Sequence, residues 1–207
     1  VPPLSVLVYS DFLCPWCFNA SLRIQKLADE LGDAVRVEWK SYLLRPHPSR
    51  TGRDLEKFRS YTRGWERPAA DEPRAIFRPW QGDAGPPSHS VPAHAAAKAA
   101  ASLGRREERA LRERLFSAYF SESRDISDDA TLRALWGEAG LPPDELARLA
   151  NPALEAKVHA DHAEALALDA TGVPAVRVGE SEFLLLGAQP LETYRRWLTR
   201  SLEAAHG

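Results

Sequence analysis

The 207-residue chain reads as an α/β protein: a βαβ half and a ββα half, separated by a large inserted α-helical subdomain. Three patterns predict this. An apolar run, a helical period and a second strand pattern follow one another over residues 4–40. Nearly everything from Pro92 to about Thr171 then carries a helical period. Strand patterning returns at Val173 and gives way to one last amphipathic helix.

Taken in order, residues 4–10 are apolar on both parities and bounded by Pro2-Pro3, as in a strand buried on both faces. Ala20, Ile24, Leu27, Ala28 and Leu31 follow a 3.6-residue period, and Gly32 supplies the stop. Val35, Val37 and Trp39 alternate with Arg36, Glu38 and Lys40, which predicts a second strand, parallel to the first. Asp54 to Arg63 is a short helix candidate. Residues 64–91 hold five prolines with Trp65, Phe77 and Trp80, so they read as a long loop, either a lid or a plain surface connection.

Beyond Pro92 the helices follow in turn. Ala93–Leu103 is alanine-rich, and Arg105–Ser121 carries Leu111, Leu115, Ala118 and Tyr119 on one face. Ser127-Asp128-Asp129 caps a third helix, Pro143–Leu149 forms a shorter one, and Pro152 opens a fifth. Val173–Val178 and Glu182–Leu186 make a hairpin about Gly179-Glu180, and Leu191 to about Ala205 closes the chain as a helix. The expected division is residues 1–44 with 171–207, and an insert over 45–170.

The only two cysteines, Cys14 and Cys17, lie three apart where the first strand meets the first helix. At that spacing they share a helix face, close enough to form or break a disulfide with little backbone movement. A loop this short gains almost nothing from cross-linking, so the pair is expected to serve chemistry rather than stability. With Pro15 at the first helical position, Cys14 becomes the N-cap. Its sulfur is then expected to accept hydrogen bonds from the Trp16 and Cys17 N–H groups at the positive end of the helix dipole, favouring thiolate over thiol. Cys14 attacks; Cys17, one turn in and facing the sheet, resolves.

Composition excludes other classes. A formal net charge of -2 provides no bulk attraction to nucleic acid or anionic membrane. No apolar stretch approaches the ~18 residues that span a bilayer. Val1-Pro2-Pro3-Leu4 lacks the basic segment and cleavage site of a signal peptide, and the cysteines form one local pair rather than distributed staples. A cytoplasmic location is the expectation.

Cys14-Pro15-Trp16-Cys17 after the first strand, with Gly172-Val173-Pro174 opening the third, resembles the thioredoxin superfamily. Over nearly the whole chain it looks most like the DsbA/FrnE type, with its helical domain between the halves of a thioredoxin-like fold. The resemblance implies that Cys14 is the nucleophile and Cys17 the resolving cysteine. It further implies that Pro174 is a cis-proline facing them, orienting Val173 to pair with an extended substrate segment. Gly187-Ala188-Gln189 resembles a family signature read as a structural turn. Departures are present. His89-Ser90-Val91-Pro92-Ala93-His94 stands where the FrnE-like pattern is Asn-Ser/Thr-x-x-Ala-His, and there is no second cysteine pair. The first strand lacks the buried acid that many relatives place beneath the cysteines. Asp11 is the nearest carboxylate, as proton acceptor for Cys17 or, more simply, as a turn former.

Trp16 could line an apolar groove for unfolded substrate or pack against the 64–91 segment. His159 and His162 lie at i, i+3 on a charged helix (Lys157, Asp161, Glu164), which reads as solvated rather than metal-binding. His94, on an alanine-rich face, reads as a core histidine. The expected function is thiol–disulfide exchange on protein or peptide thiols and disulfides, with no tightly bound cofactor or metal and glutathione as a candidate co-substrate. The alternatives are a glutathione-dependent transferase or isomerase of the kappa or 2-hydroxychromene-2-carboxylate type, which usually has serine at the Cys14 position, and a redox-sensing binding module.

Overall fold

The computed structural model describes residues 2–49, 54–83 and 85–206. Strand β1 (Leu4–Ser10) leads through helix α1 (Pro15–Leu31) to β2 (Val35–Ser41), which pairs parallel with β1. Gly32 ends α1 with φ +55°, a backbone state open to glycine at little cost. Helices α2 (Leu55–Thr62), α3 (Glu66–Asp71), α4 (Val91–Ala101), α5 (Arg105–Phe120), α6 (Asp129–Glu138) and α7 (Ala153–Ala167) follow, before β3 (Ala175–Val178), β4 (Leu185–Leu186) and α8 (Leu191–His206). The sheet order is β2-β1-β3-β4, with β3 antiparallel to both neighbours.

The chain divides into two compact units, Val1–Tyr42 with Asp161–Gly207, and Leu43–Ala160. In the sheet unit, alternation along β1 sends Val6 and Val8 to one face, where they pack with Ala20, Ile24 and Leu27 of α1 and Tyr194 and Leu198 of α8. Tyr9 points the opposite way, to a second cluster with Ala165, Ala170 and Ala175. The second boundary therefore falls inside α7, ten residues before the expected 171. Residues that read as a solvated charged face cause this shift. Asp161 is buried and accepts the Ser41 N–H at 2.9 Å, and Glu164 accepts the Tyr9 hydroxyl at 2.6 Å.

The helical unit has its own core, which takes in the proline-rich segment. Trp65 lies 4.8 Å from Phe120, Phe77 5.1 Å from Phe120, and Trp80 5.3 Å from Phe58, centroid to centroid. The Arg78 N–H donates to the Phe120 carbonyl at 2.8 Å and the Trp80 N–H to the Thr62 hydroxyl at 2.9 Å. Residues 64–91 are thus neither structureless nor a plain surface connection. A 3-10 turn (Arg63–Trp65) and α3 occupy the start, with Pro68 in the first turn of α3, where no amide donor is needed. Pro143–Ala150 is likewise a 3-10 helix rather than an α-helix.

The last hairpin is shorter than expected. Pro174 has no N–H for the ladder, so β3 starts at Ala175. Arg177 Nε holds the Ser181 carbonyl at 2.7 Å and the Ser181 hydroxyl accepts the Phe183 N–H at 3.1 Å, which turns the chain away from pairing until Leu185. Gly187 (φ +78°) then begins the turn into α8. The Tyr194 hydroxyl donates to the Gly187 carbonyl and accepts from the Gln189 N–H, each at 3.2 Å. Arg23 of α1 donates to the Gln189 carbonyl at 2.9 Å. Gly187-Ala188-Gln189 is a structural turn.

Candidate functional site

The site begins where β1 runs out. The Asp11 carboxylate accepts the Leu13 N–H at 2.7 Å, and the Asp11 carbonyl accepts the Cys14 N–H at 3.1 Å. This Asx-type turn delivers Cys14 to the N-cap of α1, with Pro15 at the first helical position. Asp11 is buried, and its carboxylate takes part in forming the turn.

One expectation fails at the cap. The Cys14 sulfur makes no capping hydrogen bond; the Cys14 carbonyl takes the Cys17 N–H at 3.1 Å and the Phe18 N–H at 3.3 Å. The Cys14 thiol instead donates across to the Val173 carbonyl at 3.6 Å. A thiol is a weak acceptor, and here a carbonyl oxygen from the far end of the chain provides the better partner. The Val173–Pro174 peptide bond is cis. Pro174 is buried, and its carbonyl accepts the Gly187 N–H at 2.7 Å, fixing the loop to the start of the last turn.

Cys17 sits behind Cys14 and is fully buried, while Cys14 is 6% exposed; both are free thiols. Burial pushes the Cys17 thiol well above the ordinary thiol range, and the hydrogen bond and charge of Cys14 push the same way. The Asp11 N–H, 3.5 Å from Cys17 Sγ, and the Ser10 hydroxyl oppose that rise. The folded dithiol thus holds this proton more tightly than the unfolded chain does. Its contribution to stability is fully present below the unfolded thiol value and is lost as pH rises beyond it. Under reducing conditions, Tm is expected to fall more steeply between about pH 8.5 and 10.5 in the native chain than in Cys17→Ala. Parallel thermal melts of the two proteins across that range measure the difference.

Cys14, Cys17, Val173 and Pro174 are therefore brought together in the sheet unit. Trp16, between the cysteines, is 38% exposed and the most open side chain of the turn. The other candidates make different contacts. His162 stands edge-on to Tyr42 with centroids 4.9 Å apart, His159 is exposed, and His94 is buried on α4. Among the described residues, no group of three or more His, Cys, Asp or Glu side chains could hold a metal ion. No described helix is long and apolar enough to cross a membrane. Sequence reasoning missed Ser10. Its signal was the strand period itself, which puts Ser10 on the α1 face, one step past Val8.

A family model described as a DSBA-like thioredoxin domain matches residues 5–199. The chain belongs to that family. No curated protein sequence matches it. Among solved structures, it is similar to a probable DsbA oxidoreductase from Streptomyces coelicolor, with 29% identity and a TM-score of 0.76 over 96% of this chain and 89% of that one. The cytosolic disulfide reductase DsbM from Pseudomonas aeruginosa, solved with GSH, shares the fold at 22% identity and a TM-score of 0.75, covering 96% of this chain and 99% of that one. So does a 2-hydroxychromene-2-carboxylate isomerase, at 17% identity and a TM-score of 0.64, covering 95% of each chain.

Proposed function

We propose that this DSBA-like chain is a thiol–disulfide oxidoreductase acting on protein or peptide substrates through Cys14 and Cys17. In the reducing direction, the Cys14 thiolate attacks one sulfur of a substrate disulfide. A Cys14–substrate bond forms and the other substrate sulfur leaves as thiolate. The Cys17 thiolate then attacks Cys14 Sγ, closing the Cys14–Cys17 disulfide and releasing the second substrate thiolate. Two electrons pass from the pair to the substrate, and the protons lost by the two cysteines match those the product thiolates take up. Run backwards, the same steps oxidise a substrate dithiol.

The observation that carries this reading is the 3.6 Å approach of Cys14 Sγ to the Val173 carbonyl, with Cys17 buried behind it. An extended segment laid against Val173 would meet Cys14 at its sulfur, and the half-exposed Trp16 ring offers it an apolar contact. Glutathione is the proposed small co-substrate, a role supported by the GSH-bound disulfide reductase that shares this fold. The presence of both cysteines favours exchange over an isomerase of the 2-hydroxychromene-2-carboxylate kind.

Replacing the resolving sulfur tests the sequence of steps. Cys17→Ser incubated with oxidised glutathione is expected to accumulate a single glutathione adduct on Cys14, read by intact mass, while the native chain passes on to its internal disulfide. An adduct-free Cys17→Ser protein would remove the mixed disulfide from the scheme.

A further inference from the structure

The proposed exchange leaves a problem at its second step. Cys17 has to act as a thiolate, yet it is completely buried and burial favours its thiol. The Asp11 carboxylate, the nearest acid in sequence, is turned to the Leu13 N–H. The facing titratable group is Cys14, whose hydrogen bond and charge both oppose ionisation of Cys17.

Two polar groups at the end of β1 favour the Cys17 thiolate. The Asp11 N–H lies 3.5 Å from Cys17 Sγ. Ser10 is the last residue of β1, and strand alternation puts it in the row of Val6 and Val8 that faces α1. It is 7% exposed, paired across the sheet with buried Ser41 and next to the Asp11 amide that meets the sulfur, and its hydroxyl works against the rise that burial causes in the Cys17 thiol. Every other member of this row is apolar. A hydroxyl can donate to a thiolate without taking its proton, and such charge-assisted bonds are about twice as strong as neutral ones.

We propose that Ser10 is a catalytic hydrogen-bond donor which, together with the Asp11 amide, holds the Cys17 sulfur as a thiolate for its attack on Cys14. The pair takes over, by donation alone, the stabilising part of the task that a buried carboxylate would perform as base. The Cys17 proton leaves to solvent or to the departing substrate thiolate, and Ser10 keeps its own. This inference rests on the exchange reading above and concerns only its second step.

Single-turnover reaction of the reduced chain with 5,5′-dithiobis(2-nitrobenzoate) separates the two. Attack by Cys14 releases one thionitrobenzoate and leaves the other on Cys14; attack by Cys17 then releases the second. In Ser10→Ala, the second-phase rate divided by the first-phase rate is expected to fall about tenfold at neutral pH. The pH midpoint of the second phase is expected to move up, and Ser10→Thr, which keeps the hydroxyl, to restore most of both. An unchanged ratio or midpoint in Ser10→Ala, or equal slowing in Ser10→Thr, overturns the role of the hydroxyl. A first phase that persists at full rate in Cys14→Ser overturns the exchange reading instead.

Discussion

Cys14→Ser is expected to lower disulfide reduction by about two orders of magnitude or more, because a serine hydroxyl has almost no anion at neutral pH. The remaining cysteine cannot stand in for it. Cys17 has no exposed surface, so a protein disulfide cannot reach its sulfur, and burial favours its thiol. Any residual reaction carried by Cys17 should climb about tenfold per pH unit below its pKa, since only the thiolate fraction attacks. Reduction of insulin by dithiothreitol, followed for native and Cys14→Ser chains from pH 6 to 9, measures both effects. Activity within a few fold of native in Cys14→Ser would mean that the reacting group lies elsewhere.

The elements nearest this chemistry were legible because local sequence dictates them. Two cysteines flanking Pro15 at a strand-to-helix junction allow few geometries, and β1, α1 and β2 follow from apolar periods that nothing distant has to support. What could not be read depended on partners far along the chain. The Cys14 sulfur was expected to cap its own helix, and a carbonyl 159 residues away competes for it. Ser10 reads as the end of a strand, because the role proposed for its hydroxyl depends on Cys17, seven residues further on and in a different element. The proline-rich stretch hid a core: Trp65, Phe77 and Trp80 are aromatic without a period, and their order comes from Phe58, Tyr119 and Phe120. Asp161 and Glu164 looked solvated on a charged helix, but their partners Ser41, Lys40 and Tyr9 lie about the ends of β1 and β2.

That last cluster should be the most costly polar feature to break in the sheet unit. Lys40 Nζ lies 3.1 Å from Glu164, 3.3 Å from Glu38 and 3.4 Å from Asp161. Burial works against the Lys40 ammonium, but the hydrogen bond it donates to Glu164 and the charges of Asp161 and Glu38 outweigh it and hold the lysine above its ordinary range. Tyr9 is raised as well, first by burial and then by its bond to Glu164. Asp161→Ala removes the acceptor of a buried backbone amide together with one counter-charge of a largely buried ammonium. An orphaned amide costs about 1–3 kcal/mol, and breaking a buried ion pair about 3–5 kcal/mol. Lys40 keeps Glu164 and Glu38, so the expected total is about 2–4 kcal/mol, the amide accounting for much of it. Asp161→Asn, which keeps an acceptor for Ser41 but no charge, should recover about half of that loss and so divide the two contributions. Because the Lys40 and Asp161 side chains are themselves mostly out of water, raising the salt concentration should leave the difference between native and Asp161→Ala chains nearly unchanged, whereas an exposed pair would be screened. Urea unfolding of the three proteins at low and high salt gives the comparison. A loss below about 0.5 kcal/mol, the range of surface substitutions, would show that Asp161 does not hold this end of α7 to the sheet.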